Sequence, residues 1–180
     1  MQLRINFLLI LALVSPLVAQ DARATIYYSK QEAMELAFGK EAKIETLSLF
    51  LTEEQIAEVE KLGRVKLDSK LYSFYVGKRD GAILGYAAIE TQTVRTKPET
   101  LLIVLTPEGQ LERIVVLAFH EPPEYQPPDR WFGKLQGRGL DELELNRGVD
   151  SISGATLSTR STLGSVRKVL ALYQIGIAQK

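Results

Sequence analysis

The sequence contains no cysteine, a single histidine (His120) and a single tryptophan (Trp131) among its 180 residues. Without cysteine the protein has no disulfide, no iron–sulfur cluster, no thiol chemistry and no haem attached through a Cys-x-x-Cys-His motif. One histidine argues against a histidine-rich metal site, and we predict no bound metal. The 22 basic and 22 acidic residues balance without forming a basic block, which argues against a nucleic-acid partner.

The amino-terminal segment has the pattern of a secretory signal peptide. Arg4 precedes an uncharged run over residues 7–14, which Pro16 interrupts before several small residues. We predict a signal peptide over residues 1–19, with cleavage after residue 24 as the alternative. The apolar run is shorter than the roughly 20 residues that cross a bilayer as a helix. We therefore expect a mature protein in the periplasm or another extracytoplasmic compartment, with an uncleaved N-terminal membrane anchor as the other possibility.

Residues 25–69 are expected to form an N-terminal extension of helices and extended chain. Ser29 and Thr52 each precede a helix-like sequence, and Gln55 stands three residues after Thr52, as in a capping box. Residues 42–51, between the two predicted helices, favour a strand or an extended link.

Residues 70–180 are predicted to form the main domain, and together with the N-terminal helices the chain is expected to have an α+β fold. Alternating apolar residues indicate four strands, near residues 71–76, 83–94, 101–105 and 111–119. Turn signals at Asp80-Gly81 and Pro107-Glu108-Gly109 join them, and Gly85 marks a bulge or a close backbone approach. We therefore expect an antiparallel β-meander of about four strands, packed against a C-terminal helix.

A proline-rich segment separates the meander from the closing helix. The four prolines between His120 and Arg130 predict that no regular element forms there. The closing helix begins near Thr156 and carries one apolar stripe, at Leu163, Val166, Leu170, Tyr173 and Ile177. Its polar positions are expected to face water; these are Ser158, Arg160, Ser161, Arg167 and Lys168.

The stretch from Asp150 to Ser158 reads Asp-Ser-Ile-Ser-Gly-Ala-Thr-Leu-Ser and resembles the flavinylation motif of the FMN-binding domain family. That family includes the covalent-FMN subunits of the sodium-pumping NADH:quinone oxidoreductase and of the Rnf complex. The positions that match its pattern are Asp150, Ser153, Gly154, Ala155 and Thr156. The resemblance implies that Thr156 accepts the phosphate of FMN from a dedicated flavin transferase of the ApbE type, so that the cofactor is covalent FMN.

The expected local structure suits a phosphate at Thr156. The first N–H groups of a helix lack internal partners and, with the positive end of the helix dipole, favour an anion. Gly154 permits a positive φ, while Leu157 and Ser158 complete the predicted binding residues. An unassisted threonine hydroxyl is a poor nucleophile, and Asp150 is the one base nearby in sequence, so we expect it to help a separate enzyme. The alternative is plain helix capping by the serine and threonine hydroxyls.

A second candidate patch precedes the motif, at His120, Glu121, Tyr125 and Trp131. The family carries an acidic residue followed by proline in the corresponding loop near the flavin. Tyr125 or Trp131 is expected to stack on the flavin ring, and His120 or Glu121 to hydrogen-bond its polar edge. In the alternative, Trp131 anchors the loop to the core and His120 ends a strand.

The resemblance implies an electron-transfer carrier. No catalytic triad, metal cluster or nucleotide-binding glycine loop is recognisable in the sequence, which favours a carrier over an enzyme that acts on a small molecule. Its redox partners would be membrane or periplasmic cytochromes or quinone-linked complexes. Two alternatives remain, a flavin-dependent extracytoplasmic reductase subunit and a flavin-free exported interaction domain.

Overall fold

A computed structural model describes residues 25–145 and 148–179. One antiparallel sheet has the strand order β1-β6-β5-β4-β3-β2. The strands are β1 (Thr25–Ile26), β2 (Lys43–Phe50), β3 (Leu71–Arg79), β4 (Ala82–Thr93), β5 (Pro98–Leu105) and β6 (Leu111–Phe119). The α+β class and the meander β3 to β6 are confirmed, but the prediction of about four strands was too low, because β1 and β2 extend the sheet at both edges.

In the described part of the chain, four α-helices accompany the sheet: α1 (Lys30–Phe38), α2 (Glu53–Gly63), α3 (Asp129–Gly133) and α4 (Thr156–Gly176). The prediction of no regular element in the proline-rich segment was wrong, since a 3-10 turn forms at Pro123–Tyr125 and α3 starts within the segment. Proline is well tolerated at the first positions of such short helices, where its missing N–H has no partner to lose. Within the described residues, no helix is both long and apolar enough to cross a membrane. The predicted signal peptide lies outside them.

The turns of the meander form where the sequence indicates them. Asp80 and Gly81 both adopt positive φ, at 51° and 82°, as a two-residue hairpin turn requires. Gly85 lies where the β3–β4 register shifts, and a Cβ added there would be 2.4 Å from the carbonyl oxygen of Leu105. Both parts of the expectation for Gly85, a bulge and a close backbone approach, are therefore confirmed.

The N-terminal segment joins the same sheet and core. Ser29 and Thr52 cap α1 and α2 in complete capping boxes with Glu32 and Gln55, so both predicted helix starts are confirmed. Residues 43–50 form β2, which pairs with β3 along its whole length. The boundary near residue 70 stays a prediction.

Helix α4 is buried on nearly all sides, with Arg160 and Gln174 as the exposed positions between Ser158 and Gly176. One side packs on the sheet and the opposite side packs on α2. The prediction that its polar positions face water was wrong for Ser158, Arg167 and Lys168, all of which are buried. An apolar stripe indicates only which face of a helix packs on one layer, here the sheet. In this protein α2 also covers the other face of α4.

Arg167 ties this second layer together. Its guanidinium donates to the carbonyl oxygens of Gly63 at 2.7 Å, Leu140 at 2.6 Å, Leu143 at 3.1 Å and Leu62 at 3.4 Å. It thus holds the C-terminal end of α2 and the segment after α3 against α4. Because arginine offers five donors in a planar fork, one side chain can satisfy all these buried carbonyl groups.

We expect Arg167→Met to lower the free energy of unfolding by about 3 kcal/mol, because it keeps the aliphatic stem but leaves buried carbonyl groups without donors. Urea denaturation of the purified protein measures this loss. Gln174→Met, an exposed substitution on the same helix, is the control and should change stability by about 0.5 kcal/mol or less. Equal stability of the two variants would contradict the role of Arg167.

Candidate functional site

Thr156 is the first residue of α4 and its side chain is exposed. Its hydroxyl donates to the carbonyl oxygen of Ile152 at 3.2 Å. The N-cap position belongs to Ala155, and no side chain of the described residues caps the helix start. Helix capping by the motif hydroxyls, the alternative for this sequence, is therefore not what the structure shows.

The motif reaches the helix through a left-handed turn at Gly154, whose φ is 85°. A Cβ added there would meet no atom within 4 Å, so the backbone conformation rather than space calls for glycine. Ala155 is buried beneath the turn, whereas Ser153 is exposed beside it. The turn thus presents the start of α4 to solvent.

A small cavity of about 160 Å³ opens at this point, and we call it the Thr156 cavity. Its lining residues are Arg95, Tyr125, Gly154, Thr156, Leu157 and Ser158. The Arg95 guanidinium lies over the Tyr125 ring, 4.8 Å from the ring centroid. The structure thus brings Tyr125 to the motif, while its stacking on a flavin ring stays a prediction. It also adds Arg95, which the sequence reading missed. A lone arginine more than fifty residues before the motif gives no local signal.

Glu121 shapes the β4–β5 turn that carries Arg95. Its Oε1 atom accepts hydrogen bonds from the backbone N–H groups of Thr96 at 2.7 Å, Lys97 at 2.8 Å and Arg95 at 3.2 Å. Burial opposes ionisation of this carboxyl, but those three donors prevail and hold its pKa below the ordinary value. Glu121 therefore positions Arg95, and its side chain is not among those lining the Thr156 cavity.

Trp131 and His120 also lie outside the lining of the Thr156 cavity. The Trp131 indole is buried in the core and donates to the carbonyl oxygen of Asp150 at 2.8 Å. That position fits the anchoring alternative and leaves no ring face for stacking. His120 directly follows β6, and its backbone N–H donates to the carbonyl oxygen of Pro98. The Asp150 side chain is exposed, and the Thr156 hydroxyl bonds Ile152 instead of it.

A larger cavity of about 340 Å³, the α4 cavity, lies between α4 and the end of β4. Leu157 lines both cavities and is 44% exposed, so the two adjoin at this side chain. Lys168 lies in the wall and forms a buried ion pair with Glu90. Sequence reasoning placed Lys168 in water, since nothing local reveals its partner on β4.

A buried carboxyl, Glu99 of β5, lies against the same part of α4. It is 1% exposed, accepts a hydrogen bond from the Thr162 hydroxyl at 3.3 Å and has no hydrogen-bond partner for Oε2 among the described residues. Burial raises its pKa to about 7, against the opposing effect of the Ser161 and Thr162 hydroxyls. The folded protein therefore holds this proton more tightly than the unfolded chain does.

The raised pKa of Glu99 predicts a pH dependence of stability. Its contribution is complete below the ordinary value of 4.5 and is lost as the pH rises through about 7. The difference between the ordinary and the raised pKa of Glu99 corresponds to a loss of at most about 3 kcal/mol in the free energy of unfolding. Glu99→Gln should reduce this decline between pH 5 and 8 in urea denaturation, whereas Glu58→Gln, at an exposed position on α2, should leave it unchanged. Parallel curves for the wild type and Glu99→Gln would contradict the prediction.

Comparison with known proteins identifies one family. The family model described as FMN-binding domain matches residues 95–171, which run from Arg95 through β5, β6 and the motif into α4. No curated protein matches the chain. No solved structure matches it either. The match covers the Thr156 cavity, the turn at Gly154 and most of α4, and it supports FMN as the cofactor of a flavoprotein. Residues 95–171 of this chain belong to the FMN-binding domain family.

Proposed function

We propose that this protein carries FMN covalently, through a phosphoester at the Thr156 hydroxyl, and that it serves as an exported electron carrier. The observation that carries the proposal is the exposed Thr156 hydroxyl at the uncapped start of a 21-residue helix, in a cavity shared with Arg95. A bound FMN would supply the electron exchange, while the protein holds and orients it.

The groups around Thr156 fit a phosphate. The helix start offers N–H donors and the positive end of the helix dipole, which together favour an anion. Arg95 adds a cation that matches phosphate geometry. The Ser158 hydroxyl lines the same cavity and is buried without a hydrogen-bond partner in the described part of the chain. A phosphate oxygen would supply the acceptor that this hydroxyl lacks.

Attachment requires a partner enzyme in this proposal, a flavin transferase of the ApbE type. The Thr156 hydroxyl donates to a backbone carbonyl rather than to a base, so nothing in the described chain activates it. Asp150, Ser153 and Thr156 are all exposed along the motif, where an approaching enzyme can reach them. Asp150 then acts during transfer, by helping to present or deprotonate the hydroxyl.

The redox role follows from the bound cofactor and from the proposed compartment. Flavin held by the protein exchanges electrons with partners that approach its exposed edge, and the proposed partners are membrane or periplasmic cytochromes or quinone-linked complexes. The signal-peptide pattern before residue 25 supports export to the compartment where such partners occur.

Thr156→Val tests the attachment. The substitution keeps the shape of the side chain and removes the oxygen that would form the ester, so flavin should be absent after denaturation. The wild type, co-expressed with a flavin transferase, should retain flavin through the same treatment. Intact mass and in-gel fluorescence measure the difference.

Two variants sharpen this test. Ser153→Ala removes an exposed hydroxyl of the same motif and should leave attachment intact, while Thr156→Ser should restore part of it. A denaturation-resistant flavin in Thr156→Val would place the ester on another hydroxyl and refute the assignment.

Export is tested separately by fractionation of the native host. We expect soluble periplasmic protein whose first residue is near Gln20 or Thr25, because a short apolar run followed by small residues is typical of cleaved signals. N-terminal sequencing of the periplasmic fraction measures this. Full-length protein retained in the membrane fraction would show an uncleaved anchor instead.

A further inference from the structure

The α4 cavity begins one residue beyond the proposed attachment point. Leu157 forms the wall that it shares with the Thr156 cavity. At about 340 Å³ the α4 cavity falls within the roughly 300–1,000 Å³ that ligand pockets occupy. Val65 and Lys66, which follow α2, close one side, and residues 92–94 at the end of β4 close another. A group attached at Thr156 can therefore enter this cavity past Leu157.

Gly164 keeps the middle of the cavity wall open. It lies in the interior of α4, where glycine is a poor helix former. A Cβ added at this position would meet no atom within 4 Å, so packing within the chain does not call for glycine. Since Gly164 lines the α4 cavity, any larger side chain there would project into the cavity and reduce its volume.

Buried hydroxyl groups flank Gly164. Ser161 and Ser165 both line the cavity. The Ser165 hydroxyl has no hydrogen-bond partner among the described residues, and the Ser161 hydroxyl lies near the Glu99 carboxyl, whose pKa it lowers. Ser165 is 2% exposed. With Ser158 they follow the spacing i, i+3 and i+7, which places them on one face of the helix. A buried hydroxyl without a partner is costly, and a polar ligand edge in the cavity would supply the partner.

Lys168 continues this face by a further three residues and places a cation in the cavity wall. Its ammonium group is paired with the Glu90 carboxylate, and both side chains are about nine-tenths buried. The Tyr72 ring lies 6.0 Å from the ammonium nitrogen. Reduction adds negative charge to a flavin ring, so a buried cation beside the ring would favour the reduced state.

From these observations we propose that the α4 cavity receives the isoalloxazine ring of the FMN on Thr156, against Gly164, with Lys168 as the cation that raises its reduction potential. This inference rests on the proposed attachment at Thr156. It assigns Ser161 and Ser165 as hydrogen-bonding groups toward the ring, and it makes residues 65–66 and 92–94 walls of the flavin site.

Gly164→Leu tests the position of the ring, because leucine fills the cavity and favours the helix. Intact mass should show FMN attached as in the wild type. Quenching of flavin fluorescence by iodide should then be several-fold stronger than in the wild type, because the displaced ring meets solvent. Gly133→Leu is the matched control, since a Cβ at Gly133 also meets nothing within 4 Å and this residue lies outside the α4 cavity.

Two results would overturn the inference. Wild-type flavin as accessible to iodide as free FMN would place the ring in solvent. A ring that stays protected in Gly164→Leu but becomes accessible in Tyr125→Ala would place it against Tyr125 instead. Loss of FMN from the wild type itself, seen by mass, would refute the proposed attachment rather than the ring position.

If Gly164→Leu does not fold or is not flavinylated, a second variant tests whether the ring lies in the α4 cavity. Lys168→Met combined with Glu90→Gln removes both charges of the buried pair and leaves no isolated charge. The midpoint potential of the attached flavin should shift downward, because Lys168 lines the α4 cavity and Glu90 does not, so the cation is the charge nearer the ring. An unchanged potential together with unchanged iodide quenching would overturn the role of the α4 cavity.

Discussion

The fold depends on the burial of α4 between two layers, and Arg167 is the interaction that makes this possible. A helix with polar residues on several faces can be covered on both sides where those residues find partners inside the protein. Arg167 meets that condition toward α2, where it donates to the carbonyl groups of Leu62, Gly63, Leu140 and Leu143. Through these bonds the end of α2 and the segment that precedes the motif are held against the same helix that starts at Thr156.

Toward the start of α4, in contrast to Arg167, several buried polar groups lack hydrogen-bond partners in the described part of the chain. There the buried hydroxyls of Ser158 and Ser165 lack partners among the described residues, and Glu99 has one carboxylate oxygen in the same condition. Folded proteins satisfy most buried polar groups, so a concentration of exceptions on one helical face calls for a functional reason. The FMN that we propose for this face would supply one, because its polar groups can pair with these hydroxyls.

The sequence predicted those features of the fold that depend only on residues close together in the chain. The capping residues Ser29 and Thr52, the turn at Asp80-Gly81 and the bulge at Gly85 each act within a few residues, so their patterns could be read directly. The short strand β1 carries no such pattern, because its two residues pair with β6 far along the chain. The same limit explains why Arg95 was missed and why Lys168 was placed in water, since their partners Tyr125 and Glu90 come from other elements.

Some residues that line the α4 cavity lie outside the segment that matches the family. The match begins at Arg95, whereas the cavity is also bounded by Val65, Lys66 and the end of β4, which lie before it. Lys168 lies within the match, but its partner Glu90 does not. A covalent phosphoester fixes one end of a cofactor and leaves the rest free to swing, so the surroundings of the ring must come from whatever packs beside α4. In this chain the segment after α2 and the end of β4, both before the matched segment, bound the α4 cavity. Under the proposal, changes there would alter the flavin without altering its attachment.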